Sequence, residues 1–100
     1  MPKIYWTDPA VEDLDGIFEF IAFDSPHNAK SFVQRLVDTT KRLDIFPYSG
    51  RLVPEFKDAS IREIVFENYR VIYKVIETER IDILAVFLGA RDIEKLFEKY

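Results

Sequence analysis

Apolar residues recur with a helical period along the first half of the chain and alternate along the second half. Ala10, Val11, Leu14, Ile17, Phe18, Ile21 and Ala22 fall on one face of a helix. Asp8-Pro9 just ahead of them reads as an N-cap followed by a proline at the first helical position, and Glu12 and Asp13 sit near the positive end of the helix dipole. Gly16 interrupts this helix, where it costs about 1 kcal/mol relative to Ala, so it predicts close packing against a neighbouring element. Asp24-Ser25-Pro26 repeats the start signal, with Ser25 as cap and Pro26 as first helical residue, and the first helix must therefore end just before it. Ala29, Phe32, Val33, Leu36, Val37, Thr40 and Leu43 make the second stripe, which Phe46-Pro47-Tyr48-Ser49-Gly50 terminates. Two amphipathic helices joined this closely form an antiparallel hairpin.

Short runs of β-branched and aromatic residues predict the strands. Lys3 to Trp6 is the first, and Ile61 to Phe66, Tyr69 to Ile76 and Ile81 to Leu88 follow the helices, separated by gaps of hairpin length at Glu67-Asn68 and Glu77 to Arg80. In the last run Ile81, Ile83, Ala85 and Phe87 alternate with Asp82, Leu84, Val86 and Leu88, so both faces are apolar and a central place in the sheet is expected. Beyond Gly89, Ile93, Leu96 and Phe97 have the spacing of a short amphipathic C-terminal helix. The expected architecture is α+β, in the order β-α-α-β-β-β, with the helical hairpin packed on a small, mainly antiparallel sheet.

Composition narrows the class. One hundred residues, 48% hydrophobic and 15% aromatic, suit a single folded domain over 1–100 and exclude a disordered chain. The net charge of −4 argues against generic binding to nucleic-acid phosphates. The chain has no Cys and one His, so thiol chemistry is excluded and neither a metal site nor a cofactor is expected. With no apolar run of signal-peptide or membrane-span length, a cytoplasmic protein is expected.

Few residues could carry chemistry. The single His, His27, falls in the first turn of the second helix and reads as a solvated surface residue, and three isolated Gly cannot build a phosphate-cradling loop. Glu12, Asp13, Asp15 and Glu19 read as a solvated acidic helix face. The remaining polar set, on or beside the sheet, is Arg51, Glu55, Lys57, Arg62, Glu63, Arg70, Lys74 and Arg91. Arg70, Ile72, Lys74 and Ile76 share one strand face, with Tyr69, Val71, Tyr73 and Val75 on the other. Two readings stay open: an ordinary wet sheet face opposite the helices, or a cationic surface that meets a large partner.

Trp6-Thr7-x-x-Ala10-x-x-Asp13-Leu14-x-x-Ile17, Ile21-Ala22-x-Asp24-Ser25-Pro26, Gly50-Arg51-x-Val53-Pro54-Glu55, Ile61-Arg62-Glu63 and Tyr69-Arg70-Val71-Ile72-Tyr73, taken in order, resemble the ParE/RelE toxin superfamily of type II toxin–antitoxin modules. Its members are also described as plasmid-stabilisation proteins. The resemblance implies a cognate antitoxin encoded next to the toxin, and operator DNA bound only through that antitoxin. It also implies target- or partner-binding candidates Arg51, Glu55, Arg62, Glu63, Arg70, Tyr73, Lys74 and Arg91. RelE-like members cleave mRNA on the ribosome; in that branch Glu55, Arg62 and Arg91 would be the catalytic candidates. Leu88, however, stands where that branch often has a His, and Leu cannot exchange a proton. Trp6-Thr7, Gly50 to Glu55 and Arg62-Glu63 look closer to the ParE branch, associated with poisoning of DNA gyrase and lacking a catalytic site. An inactive member that only binds antitoxin is a third possibility.

Overall fold

Thr7 organises the start of the fold. The computed structural model describes residues 2–77, 79–89, 93 and 96. Strand β1 (Lys3–Trp6) leads into helix α1 (Asp8–Ala22), and the N-cap is Thr7 rather than the expected Asp8. Its hydroxyl accepts from the Ala10 N–H (3.4 Å) and donates to the Ile83 carbonyl (2.7 Å). The cap thus also ties α1 to the sheet, which a carboxylate, lacking a proton to donate, could not do. Ser25 caps helix α2 (Pro26–Thr40) as expected, its Oγ accepting from the Asn28 N–H at 3.2 Å. At the far end the Thr39 and Thr40 hydroxyls donate back to the Leu36 and Val37 carbonyls (2.6 and 2.7 Å), and the chain continues as a 3₁₀ turn, Lys41–Asp44, carrying the buried Leu43.

The sheet has five strands in the order β1-β5-β4-β3-β2. Strands β3 (Ile61–Phe66), β4 (Tyr69–Glu77) and β5 (Arg80–Leu88) form the expected antiparallel meander, and β1 pairs parallel to β5. Glu67 makes the tight β3–β4 turn with a left-handed φ of 53°. A further strand, β2 (Arg51–Leu52), lies antiparallel to β3 at the edge; two residues between Gly50 and Pro54 carry no periodic signal, so the sequence does not predict it.

Regular alternation fails in β5. Ile72 pairs with Ala85 but Tyr73 pairs with Ile83, leaving Leu84 as an extra residue, a β-bulge. Ile81, Ile83 and Val86 therefore join one core, while Leu84 and Ala85 join another. The first core lies under the helices, where Ala10, Ile17, Leu36 and Leu43 meet Val71, Tyr73 and Val75. At the edges of the expected apolar stripe of α1, Val11 and Phe18 are exposed.

The second core counts against one of the two open readings, an ordinary wet sheet face. Opposite the helices, Ile61, Ile72, Leu84 and Ala85 are covered by Val53 and by Ile93 and Leu96, with Phe56 and Phe87 packed against them. Burial at roughly 1.5–3 kcal/mol per large aliphatic side chain makes this layer a substantial contributor to stability. Of the expected C-terminal helix, only Ile93 and Leu96 lie among the described residues; both are buried, and the Leu96 N–H donates to the Ile93 carbonyl at 3.0 Å.

Candidate functional site

The polar residues of the second face form a chain of ion pairs. Register places Arg51 on β2 directly beside Glu63 on β3, and Arg70 stands on the adjoining strand β4. Glu63 is 1% exposed, and its two carboxylate oxygens accept from Arg51 Nε and from Arg70 Nε, the latter at 2.6 Å. Arg70, 9% exposed, also grips Glu55 with both terminal nitrogens, at 2.9 and 2.7 Å. Two arginines and two glutamates thus neutralise one another, and bidentate geometry of this kind is the strong form of the contact. The hydrogen bonds from Arg70 hold the Glu55 carboxyl below its ordinary pKa, and Glu55 in turn raises that of the Arg70 guanidinium. Among the described residues no buried side-chain nitrogen or oxygen lacks a partner.

Arg62 and Tyr73 belong to the other face. Arg62 Nε donates to the Ala59 carbonyl (2.9 Å), a terminal nitrogen reaches the Gly50 carbonyl (3.3 Å), and the guanidinium carbon lies 5.2 Å from the centre of the Tyr48 ring. The Tyr73 hydroxyl accepts from the Gly50 N–H (2.9 Å) and donates to the Pro47 carbonyl (2.8 Å), and burial pushes its pKa up. A Cβ on Gly50 would stand 2.6 Å from both that hydroxyl and the Glu63 carbonyl oxygen, so only glycine fits there.

The structure therefore unites Arg51, Glu55, Glu63 and Arg70, and separates Arg62 and Tyr73 from them. Glu55 is held by Arg70, whereas Arg62 donates to backbone carbonyls. Lys74 stands 3.8 Å from Asp58, whose carboxyl is held below its ordinary pKa by hydrogen bonds from Ser60. Lys57 is exposed, as is His27 on α2. Arg91 lies outside the described residues. Asp13 is not simply part of a solvated acidic face, because its carboxylate accepts from the Val86 N–H at 2.8 Å, on the stretch of β5 beyond its pairing with β1.

One feature had no signature in the sequence. Thr39, Arg42, Ser49, Gly50, Arg51 and Val65 line an open notch beside β3, ahead of the start of β2. Arg42 comes from the 3₁₀ turn, and its Nε donates to the Ser49 hydroxyl at 3.2 Å. Among the described residues no group of three His, Asp or Glu could hold a metal ion, and no helix is long and apolar enough to cross a membrane.

The fold thus places a helical hairpin on one face of a five-stranded mixed sheet and an internally neutralised charge chain on the other. In a search of solved structures, a chain described as "Chromosomal ParDE TA system from P. aeruginosa" aligns with a TM-score of 0.74 at 25% identity, over 89% of this chain and 97% of that one. Among curated proteins no match is found. The family model described as the ParE toxin of the type II toxin–antitoxin system parDE matches residues 4–93, and the chain belongs to that family.

Proposed function

We propose that this toxin acts by binding DNA gyrase in the cytoplasm, without chemistry of its own, and that a cognate antitoxin encoded beside it neutralises it. The observation that carries the non-catalytic part is the closed charge chain. A general base must be free to take a proton, and Glu55, the one candidate carboxylate, is gripped at both oxygens by Arg70. Leu88 at the end of β5 offers no proton-transfer group either. Membership of the ParE family and the similarity to a ParDE chain support gyrase and an antitoxin as the partners.

In this reading the exposed cations flanking the notch, Arg42 and Arg51, together with Lys74, contribute to target or antitoxin contacts. Arg70, Glu63 and Tyr73 act from beneath by fixing the strands that present them. The antitoxin supplies the operator-binding part, so the complex binds operator DNA and the toxin alone does not.

Purified toxin added in excess to gyrase in a supercoiling assay should inhibit it and trap cleaved DNA. No inhibition together with no cleaved DNA would remove gyrase as the target. Mapping mRNA ends in a translating extract, run alongside, distinguishes the RelE-like alternative, since cleavage at the ribosomal A site would establish a nuclease. Growth unaffected by the toxin alone would indicate an inactive member.

A further inference from the structure

The free side of α1 carries a surface that the fold does not use. Among the described residues the two most exposed large apolar side chains are Phe23, 91% exposed, and Phe20, 77% exposed. Phe23 keeps helical backbone angles, so Gly16, Phe20 and Phe23 follow one another along a single stripe, one turn apart. Both rings give up burial that the core would reward, and they do so side by side, which marks an interaction surface rather than scattered exposure.

Gly16 points the same way. A mid-helix glycine weakens the helix relative to alanine, and such a residue is kept where something must approach closely. Among the described residues nothing does: beyond its own helix backbone, a Cβ at Gly16 would meet no atom within 4 Å, so the close packing expected from the sequence is absent there. Its φ is not left-handed either, so the backbone does not demand glycine. Gly16, Glu19, Phe20, Phe23 and Asp24 instead line a shallow groove open to solvent.

Charge defines what fits. Helix α1 contains Asp8, Glu12, Asp13, Asp15 and Glu19 and no Lys or Arg. We propose that the Gly16–Phe20–Phe23 stripe is a docking surface for a helix of a partner protein whose apolar stripe is flanked by lysine and arginine. The partner helix crosses close to the backbone at Gly16, its apolar residues pack between the two rings, and its cations meet the exposed carboxylates Glu12 and Glu19. A second copy docked helix to helix does not match: α1 against α1 would oppose like charges, and α2 has no exposed large apolar residue to offer.

The test uses the whole protein and two labelled peptides of about 18 residues, long enough for helix formation, with leucines at i, i+3, i+4 and i+7. Lysines flank the leucines in one peptide and glutamates in the other. Fluorescence anisotropy at physiological salt should show binding of the lysine peptide only. Replacing Phe20 and Phe23 together by Ala, or Gly16→Leu alone, should weaken that binding roughly tenfold or more. Gly16→Ala should raise the melting temperature by roughly 4–8 °C, showing that the glycine serves no internal contact. Failure of the lysine peptide to bind, equal binding of both peptides, or binding indifferent to these substitutions would overturn the proposal. So would dimerisation of the protein alone that the Phe substitutions abolish, since the occupant would then be a second copy.

Discussion

Replacing Arg70 by Met removes the group that holds both Glu63 and Glu55. Glu63 would keep only Arg51, whose side chain is largely exposed, so a buried carboxylate would lose its principal counter-charge. Breaking a buried pair from one side costs about 3–5 kcal/mol. The exposed Arg51 offers partial compensation, which places the loss near the lower end, at about 3 kcal/mol. For a domain of this size that corresponds to a fall in melting temperature of roughly 12–24 °C. Urea titration followed by tryptophan fluorescence and circular dichroism measures it, with an unchanged m-value showing that stability and not compactness has moved.

The double substitution R70M with E63M is the sharper part of this prediction. It removes the buried charge as well as its partner and leaves Arg51 and Glu55 free to meet water. Replacing buried ion pairs by apolar residues is often neutral or stabilising, so the double variant should return to within about 1 kcal/mol of the wild type. If R70M costs less than about 1 kcal/mol, or the double variant is no better than R70M, the charge chain does not hold the strands in place. Its residues would then be surface charges available to a target.

Three further outcomes follow from the same contacts. The folded-state pKa of Glu55 lies below the group's ordinary value of 4.5, so its stabilisation is present above that value and is lost as pH falls through the folded-state pKa; urea melts across acidic pH should show this loss, and Glu55→Gln should flatten it. Tyr73→Phe removes the partner of the Gly50 N–H and of the Pro47 carbonyl and should cost about 1–3 kcal/mol in chemical denaturation, whereas Gly50→Ala should destabilise by pushing a methyl against the same hydroxyl. Asp13→Ala leaves the Val86 N–H without its carboxylate and should cost about 1.5–3 kcal/mol, with faster amide hydrogen exchange at Val86 as the local readout.

Much of the fold is written locally. The helical stripes, the Ser25 cap, the Pro26 start and the β-rich runs act through contacts a few residues apart, so periodicity alone predicts the hairpin and the three-strand meander. The N-cap is an instructive failure. Asp8 is by residue type at least as good an N-cap as Thr7, and the choice of Thr7 depends on the Ile83 carbonyl, which lies far along the chain. Strand β2 and the bulge at Leu84 were likewise hidden, because pairing register, not composition, creates them.

The candidate site divides along the same line. Its residue types and their order were legible, and with them the resemblance to the ParE family, since motif spacing is a property of the chain alone. What those charges do depends on where folding leaves them. Burial deprives a carboxylate of water and makes a nearby guanidinium indispensable, so Arg51, Glu55, Glu63 and Arg70 form one neutral chain of ion pairs. Gly16 shows the converse. The sequence marks it as a place where something must come close, and only the tertiary structure shows that nothing among the described residues does, because the open side of a helix is decided by what packs against it.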